Sequence, residues 1–303
     1  MIGLSTVWTS ATSSSGRALL ATILDIGFDA VELEYRITIN VFRELLPCLF
    51  AHRIKVLSLH NYVPLPETIP RDQASADFFP LSSLDKETRK EGIDCTLKTL
   101  ETAHSLEVPV IVVHLGCVET DLPRTGLQTL FRTDAWGDEG AALLEKEREE
   151  RQRHAARHLD CVLSSLDKIL RRAEDLQVTV GIENRYYYQE IPSFEEIDHI
   201  LQIFEGAPIG YWHDTGHAAV QETLAIVSQQ DLLERFGPRM VGIHLHDARG
   251  VADHLPPGQG DIDMALVARH LPDTAVRILE IHPPATGDEI LAGLQHLAHH
   301  RIS

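Results

Sequence analysis

The stretch Gly210-Tyr-Trp-His-Asp-Thr-Gly-His217 carries the residue types from which a divalent-metal site is built. Ile209 to Trp212 reads as a strand, and side chains alternate faces along a strand. Asp214 therefore shares a face with Trp212 and Gly210, while His213 points the other way. The turn at Thr215-Gly216 swings the chain back, so that His217 opens the next helix beside Asp214. A carboxylate and an imidazole converging at a strand end suit a hard-to-borderline divalent cation. Taken alone, the segment reads equally well as a polar turn followed by a helix-terminal histidine. Recurrence of the pattern along the chain decides between the two.

Short β-branched runs and amphipathic patterns alternate throughout. Strands are expected at 2–7, 30–34, 54–60, 109–114, 178–183, 208–213, 240–246 and 275–281. Helices are expected at 16–26, 39–52, 84–106, 139–176, 193–204, 218–236, 261–270 and 286–299. Eight βα units without a break in composition predict one α/β domain over 1–303, a closed (β/α)8 barrel. An open doubly wound sheet is disfavoured because no G-x-G-x-x-G follows the first strand. The long connections 61–83 and 115–138 both follow strands, which places them on the C-terminal face of such a barrel, where active sites sit. The run Glu145 to Arg151 reads as a solvated, salt-bridged helix face.

Strand parity then sorts the polar residues. The apolar set must cover the helix layer, so the opposite set faces the lumen. Its last members are His60, His114, Glu183, Asp214, His244 with His246, and Glu280, with Glu32 and Glu34 together on strand 2. Carboxylates and imidazoles gathered in a dry lumen cost several kcal/mol each unless a cation or mutual pairing compensates them. A metal site is the economical account. Of the 17 histidines, His60, His114, His213, His217, His244, His246, His254 and His282 fall at strand ends or in the loops after them. The other nine fall on helices or at helix ends and read as surface or interhelical.

Charge and composition narrow the partners. Lys and Arg number 27 against 45 Asp and Glu, a net charge of −18. Such a surface repels a phosphate backbone unless it keeps a basic groove, and no Lys/Arg-rich run is present. Nucleic acid and anionic membrane surfaces are thus disfavoured. No apolar run reaches 18 residues, the chain opens directly on an apolar strand, and the four cysteines show no metal or redox spacing. A cytoplasmic protein with reduced thiols is expected. Whether identical chains assemble is left open.

With those residues in place, the chain resembles the xylose-isomerase-like barrel superfamily, which joins sugar and sugar phosphate isomerases and epimerases with the endonuclease IV type of apurinic-site nuclease. The resemblance covers almost the whole chain and rests on Ser58-Leu-His60-Asn-Tyr, Val113-His114-Leu-Gly, Gly181-Ile-Glu183-Asn184, His213-Asp214-Thr-Gly-His217-Ala, His244-Leu-His246-Asp247-Ala, Pro257-Gly-Gln-Gly260 and Leu279-Glu280-Ile-His282. It implies a divalent ion (Mn, Zn, Fe, Mg or Co) held by Glu183, Asp214, His244 and Glu280. It implies a second, bridged by Glu183, on His60 and His114, and third-ion ligands at His217 and His254. The chain departs from the nuclease pattern at Ala252, where an aspartate is expected; Asp253 adjoins it. That departure speaks against a full trinuclear centre.

The reading that follows is a metal-dependent sugar or sugar phosphate isomerase or epimerase working through an enediolate. Glu183 and Glu280 would exchange the substrate proton, while His217, His246 and Arg249 would bind the substrate's oxygens or an anionic tail. The alternatives are an endonuclease IV-like phosphodiester hydrolase, a two-metal lyase or dehydratase on a small polyol, and a barrel without catalytic function.

Overall fold

The structure, a computed structural model, describes residues 1–303 except 14 and 53. Among the described residues ten strands form: β1 (Ile2–Ser5), β2 (Ala30–Leu33), β3 (Lys55–His60), β4 (Val110–Val113), β5 (Thr179–Glu183), β6 (Ile209–Asp214), β7 (Met240–Leu245), β8 (Asp247–Arg249), β9 (Ala252–Leu255) and β10 (Val276–Leu279). Eight of them close a barrel in the order β1-β10-β7-β6-β5-β4-β3-β2, every pair parallel. Closure runs between the first and last strands, so both ends of the chain contribute to one sheet. β8 and β9 make a separate antiparallel hairpin.

The helices are α1 (Val7–Ser10), α2 (Gly16–Asp25), α3 (Ile39–His52), α4 (Lys86–Ser105), α5 (Gly126–Arg132), α6 (Gly137–Leu176), α7 (Phe194–Ile203), α8 (Thr215–Thr223), α9 (Gln229–Phe236), α10 (Met264–His270) and α11 (Gly287–His299). Several start at side-chain caps: Asp85 accepts from Thr88 N, and Ser193/Glu196 and Thr286/Glu289 form reciprocal capping boxes. None is long and apolar enough to cross a membrane among the described residues.

Most expected elements form, with instructive exceptions. The helix expected over 218–236 is two, α8 and α9. The connection 115–138 contains α5, and 247–255 forms the hairpin. The supposedly solvated face of α6 is partly buried: Glu147 is 2% and Arg151 7% exposed. Arg151 sends Nη2 to Glu196 and to the Glu190 carbonyl, so the β5–α7 loop covers this face. That covering is a tertiary event invisible to helical periodicity.

Parity holds at the strand ends but slips lower down. Register shifts in the β2/β3 and β6/β7 pairings leave Leu57 and Val241 as extra residues. Both were expected against the helix layer; instead they pack with Val110, Val112, Trp212 and Ile278 in the cluster that fills the barrel interior. Trp212 is fully buried there, and a Cβ at Gly242 would stand 2.0 Å from its ring. The absence of a side chain on Gly242 is what admits the indole. Above this plug the barrel is polar.

The two long connections are tied to each other. His158 of α6 accepts from Glu119 N through Nε2 (3.3 Å), so its Nδ1 carries the proton and donates to Ser82 O (2.9 Å). Gly242→Ala should therefore destabilise the fold by about 1–3 kcal/mol, the usual penalty for overpacking a core. Chemical denaturation checks this; an unchanged midpoint would mean that Trp212 does not depend on that vacancy.

Candidate metal centre

Above Trp212, the β-strand ends build a nest of carboxylates around one imidazole. His244 is fully buried, and its Nδ1 lies 2.6 Å from Glu183 Oε1, 3.1 Å from Glu280 Oε2 and 3.7 Å from Asp214 Oδ2. Its Nε2 faces Glu32 at 3.1 Å. Glu32 is held in turn by the Ser5 hydroxyl (3.0 Å) and the Ser58 hydroxyl (2.8 Å). A carboxylate on Nε2 fixes the tautomer that leaves Nδ1 free to ligate, the usual outer support of a metal-bound histidine. Glu183, Asp214, His244 and Glu280 each offer an atom within 4.8 Å of the others, as sequence parity expected.

Three further groups adjoin it, one of which, Asp214, His246, His254 and Glu280, shares two of its carboxylates. Of the other two, His60, His114 and Glu183 form one. His114 Nε2 lies 2.8 Å from Glu183 Oε2 and its Nδ1 3.2 Å from Asp77 Oδ2. His60 is buried, its Nδ1 has no partner, and burial pushes its pKa down to about 4. A neutral imidazole with an orphaned nitrogen, grouped with a carboxylate and a second imidazole, is a donor set that fits a cation.

His217, Asp253 and His254 form the other group. His217 Nδ1 donates to Asn184 O at 3.1 Å, leaving Nε2 toward Asp253, 3.8 Å away. Asp253 lies 3.2 Å from His254 Nδ1. The hairpin carries a bulge between Asp247 and Arg249, and His254 adopts a positive φ of 55°. Asp253, next to Ala252, joins the two imidazoles in one group at the mouth.

Electrostatics agree with a site that calls for cations. Burial opposes charge on His244, but Glu280, Glu32 and Glu183 outweigh it and hold its pKa well above the ordinary value. Burial likewise opposes ionisation of Glu183, yet His244 and the hydrogen bond from His114 keep it well below the usual carboxylate range. Asp214 is lowered to about 2 by His217 and His246 despite its burial, and it also caps α8 by accepting from His217 N at 2.7 Å.

Two expected substrate contacts are placed elsewhere. His246 is fully buried; its Nδ1 accepts from His254 N (2.9 Å), so Nε2 carries the proton and donates to the Asp214 carboxylate at 2.9 Å. With both nitrogens engaged it braces Asp214, and it belongs to the Asp214/His246/His254/Glu280 group rather than to the cavity lining. Arg249 is exposed on the hairpin, bonded to Gln259 O and 3.8 Å from Asp261, outside the barrel mouth. Parity gave His246 the right face, but its depth depended on the chain leaving the sheet after Leu245. His213 is buried against Tyr211, away from the mouth, as parity required.

The mouth is a cavity of ≈ 430 Å³. Of the four residues around the His244 nest, Glu183 and Glu280 line it, and Asp214 and His244 lie beneath. His60 and Glu280 line this same cavity, together with Asp77 of connection 61–83 and Arg124 and Arg132 of connection 115–138. A larger pocket of ≈ 520 Å³ opens elsewhere, between α6 and the chain before α9, and has no imidazole in its lining. Sequence reasoning missed Arg185, which bonds Glu183 (3.1 Å), Asp77 (3.1 Å) and Glu190 (2.8 Å). Extending the alternation two residues past Glu183 would have found it. Asp77 and Glu190 lie in loops and carried no such signal.

The chain belongs to the xylose isomerase-like TIM barrel family, whose model matches residues 20–299. It is 24% identical over 193 residues to the uncharacterized protein MJ1311 of Methanocaldococcus jannaschii, a match covering 63% of this chain and 55% of that protein. The chain thus spans about half the length of that curated relative. Among solved structures it resembles a D-tagatose 3-epimerase-like protein with a TM-score of 0.69, 18% identity, and coverage of 99% of this chain and 96% of the other. It also resembles the 3-keto-D-glucoside 4-epimerase YcjR of E. coli, with a TM-score of 0.68, 16% identity, and coverage of 100% and 99%. At these identities the likeness is one of fold.

Because the carboxylates around His244 hold its pKa well above the ordinary value, metal uptake should expel a proton, and affinity should fall as pH falls. Proton release on titrating metal into weakly buffered protein measures this; none would place the ion away from His244. His246→Ala should weaken metal affinity by about 10–100-fold, the usual loss for an outer-shell partner. Competition with a coloured chelator gives the value, and unchanged affinity would return His246 to a role outside the centre.

Proposed function

We propose that the protein is a divalent-metal-dependent isomerase or epimerase of a small polyhydroxylated carbonyl compound, a sugar or sugar derivative. One observation carries the reading. Within the Glu183/Asp214/His244/Glu280 nest, the two residues that reach the cavity are both carboxylates, and they approach His244 Nδ1 at 2.6 and 3.1 Å. An ion in the nest supplies Lewis-acid polarisation of a carbonyl and its neighbouring hydroxyl. Glu183 and Glu280 would then stand beside the carbon that bears the hydroxyl, where one removes its proton and the other returns it. The names of the similar solved structures, sugar epimerases, support the same chemistry. Asp214, His246 and Glu32 do not join the cavity lining and would brace the nest from below.

A second reading keeps one specific support. The His217/Asp253/His254 group, with His60/His114/Glu183, provides the donors for up to three ions, which suits phosphodiester hydrolysis. Against it stand a net charge of −18 and a mouth of ≈ 430 Å³, suited to a small molecule.

Metal-loaded enzyme incubated with ketoses in D2O should place deuterium on the carbon next to the carbonyl, seen by NMR. Glu280→Gln should retain most of the metal and lower turnover by about 10²–10⁴-fold, the range for a lost general acid–base group. Incision of abasic duplex DNA that disappears in Glu183→Gln, without any exchange on ketoses, would replace this reading with the hydrolytic one. Metal content per chain addresses nuclearity separately: if the third group is loaded, Asp253→Ala should lower it by one equivalent.

A further inference from the structure

The acidic floor of the mouth is largely balanced from within. Arg185 is buried and pairs with Glu183, Asp77 and Glu190, so it has little left to offer a ligand. The rim differs. Arg124 and Arg132 both come from connection 115–138 and both line the cavity. Arg124 pairs with Glu190 through Nη2, which also lies 3.9 Å from Asp77 Oδ2; it is half-exposed, with its Cζ 4.5 Å over the Tyr187 ring. Arg132 sits in the last turn of α5, and its single recorded bond among the described residues goes to Tyr186 Oη at 3.4 Å. Tyr186 is itself anchored, its hydroxyl donating to Val251 O at 2.6 Å, with its ring 4.6 Å from that of Tyr187.

Two guanidinium groups are therefore set against a braced aromatic wall above a metal-binding floor, and Arg132 has no carboxylate to answer. In a molecule of net charge −18 the long-range field turns anions away. A rim arginine without an internal partner is an arrangement that admits one, because a guanidinium matches phosphate and carboxylate oxygens through paired N–H donors. Arg132 is not needed to neutralise the floor, where Arg185 and in part Arg124 pair with Glu183, Asp77 and Glu190.

We propose that Arg124 and Arg132 form a subsite for a terminal anionic group, a phosphate monoester or a carboxylate, carried by the substrate at the end remote from the carbons set over Glu183 and Glu280. The proposal rests on the isomerase/epimerase reading and narrows its substrate to acidic sugars. It also moves the recognition of an anionic tail from Arg249, on the outer hairpin, to the rim of the cavity.

Calorimetric titration of the metal-replete protein tests it, using a neutral ketohexose, the matching ketohexose 6-phosphate and a ketohexuronate. At least one charged ligand should bind more than about tenfold tighter than the neutral one, a difference of about 1.4 kcal/mol. Whether the phosphate or the carboxylate gains identifies the source of the anion. Arg132→Gln should remove most of that margin and Arg124→Gln part of it, with thermal melting used to confirm that both variants fold. Equal affinity for all three ligands overturns the proposal, as does a margin that survives both substitutions. Deuterium exchange on the same ligands separates the two readings: a charged preference in binding without exchange sinks the reaction assigned here and leaves the subsite. Exchange with no charged preference does the reverse.

Discussion

Concentrating charge in a dry barrel end is the constraint on which the upper half of this molecule depends. Glu183 alone is approached by His244, His114 and Arg185, all within 3.1 Å. An isolated carboxylate at that depth would cost several kcal/mol and would neutralise itself by taking up a proton. Here the surrounding cationic and hydrogen-bonding groups keep it ionised. The same requirement repeats at Asp214 and Glu280, so the strand ends form one coupled network. A divalent ion is the natural partner for such a network, because it brings two charges into a space that otherwise must be filled by protonated histidines.

The rest of the fold serves that network by removing freedom from it. Trp212 fills the lumen beneath and sets the level at which polar residues begin, its ring 4.9 Å from that of His244. Glu32, gripped by Ser5 and Ser58, orients His244 from the far side of the barrel. His246 and the cap of α8 share the carboxylate of Asp214. These contacts come from five different strands or strand ends, which is why a barrel, whose strand ends converge on one ring, can build the site.

Around the network, the loops set what can enter. Connections 61–83 and 115–138 are long enough to wander, yet His158 clamps a backbone group of each from α6. Their side chains at the mouth, Asp77, Arg124 and Arg132, are thereby placed on a semi-rigid rim. The β8–β9 hairpin closes the opposite side through Asp253 and His254. Barrel enzymes commonly place chemistry at the strand ends and selectivity in the loops.

Parity and punctuation in the sequence determined the barrel, the face carrying the site, and the convergence of His60, His114, Glu183, Asp214, His244 and Glu280. Those properties follow from a strict two-residue alternation and from strand ends that meet in a closed sheet. Tertiary structure decided where the alternation breaks. Bulges sent Leu57 and Val241 into the lumen, since an inserted residue reverses the faces beyond it. Beyond Leu245 the chain turns into a hairpin, and only its path shows that His246 is sealed beneath His254, that Asp253 meets His217 and His254, and that Arg249 lies outside the mouth. Asp77, Arg124, Arg132 and Glu190 lie in loops without a period, so their meeting is set by long-range packing that no local pattern encodes.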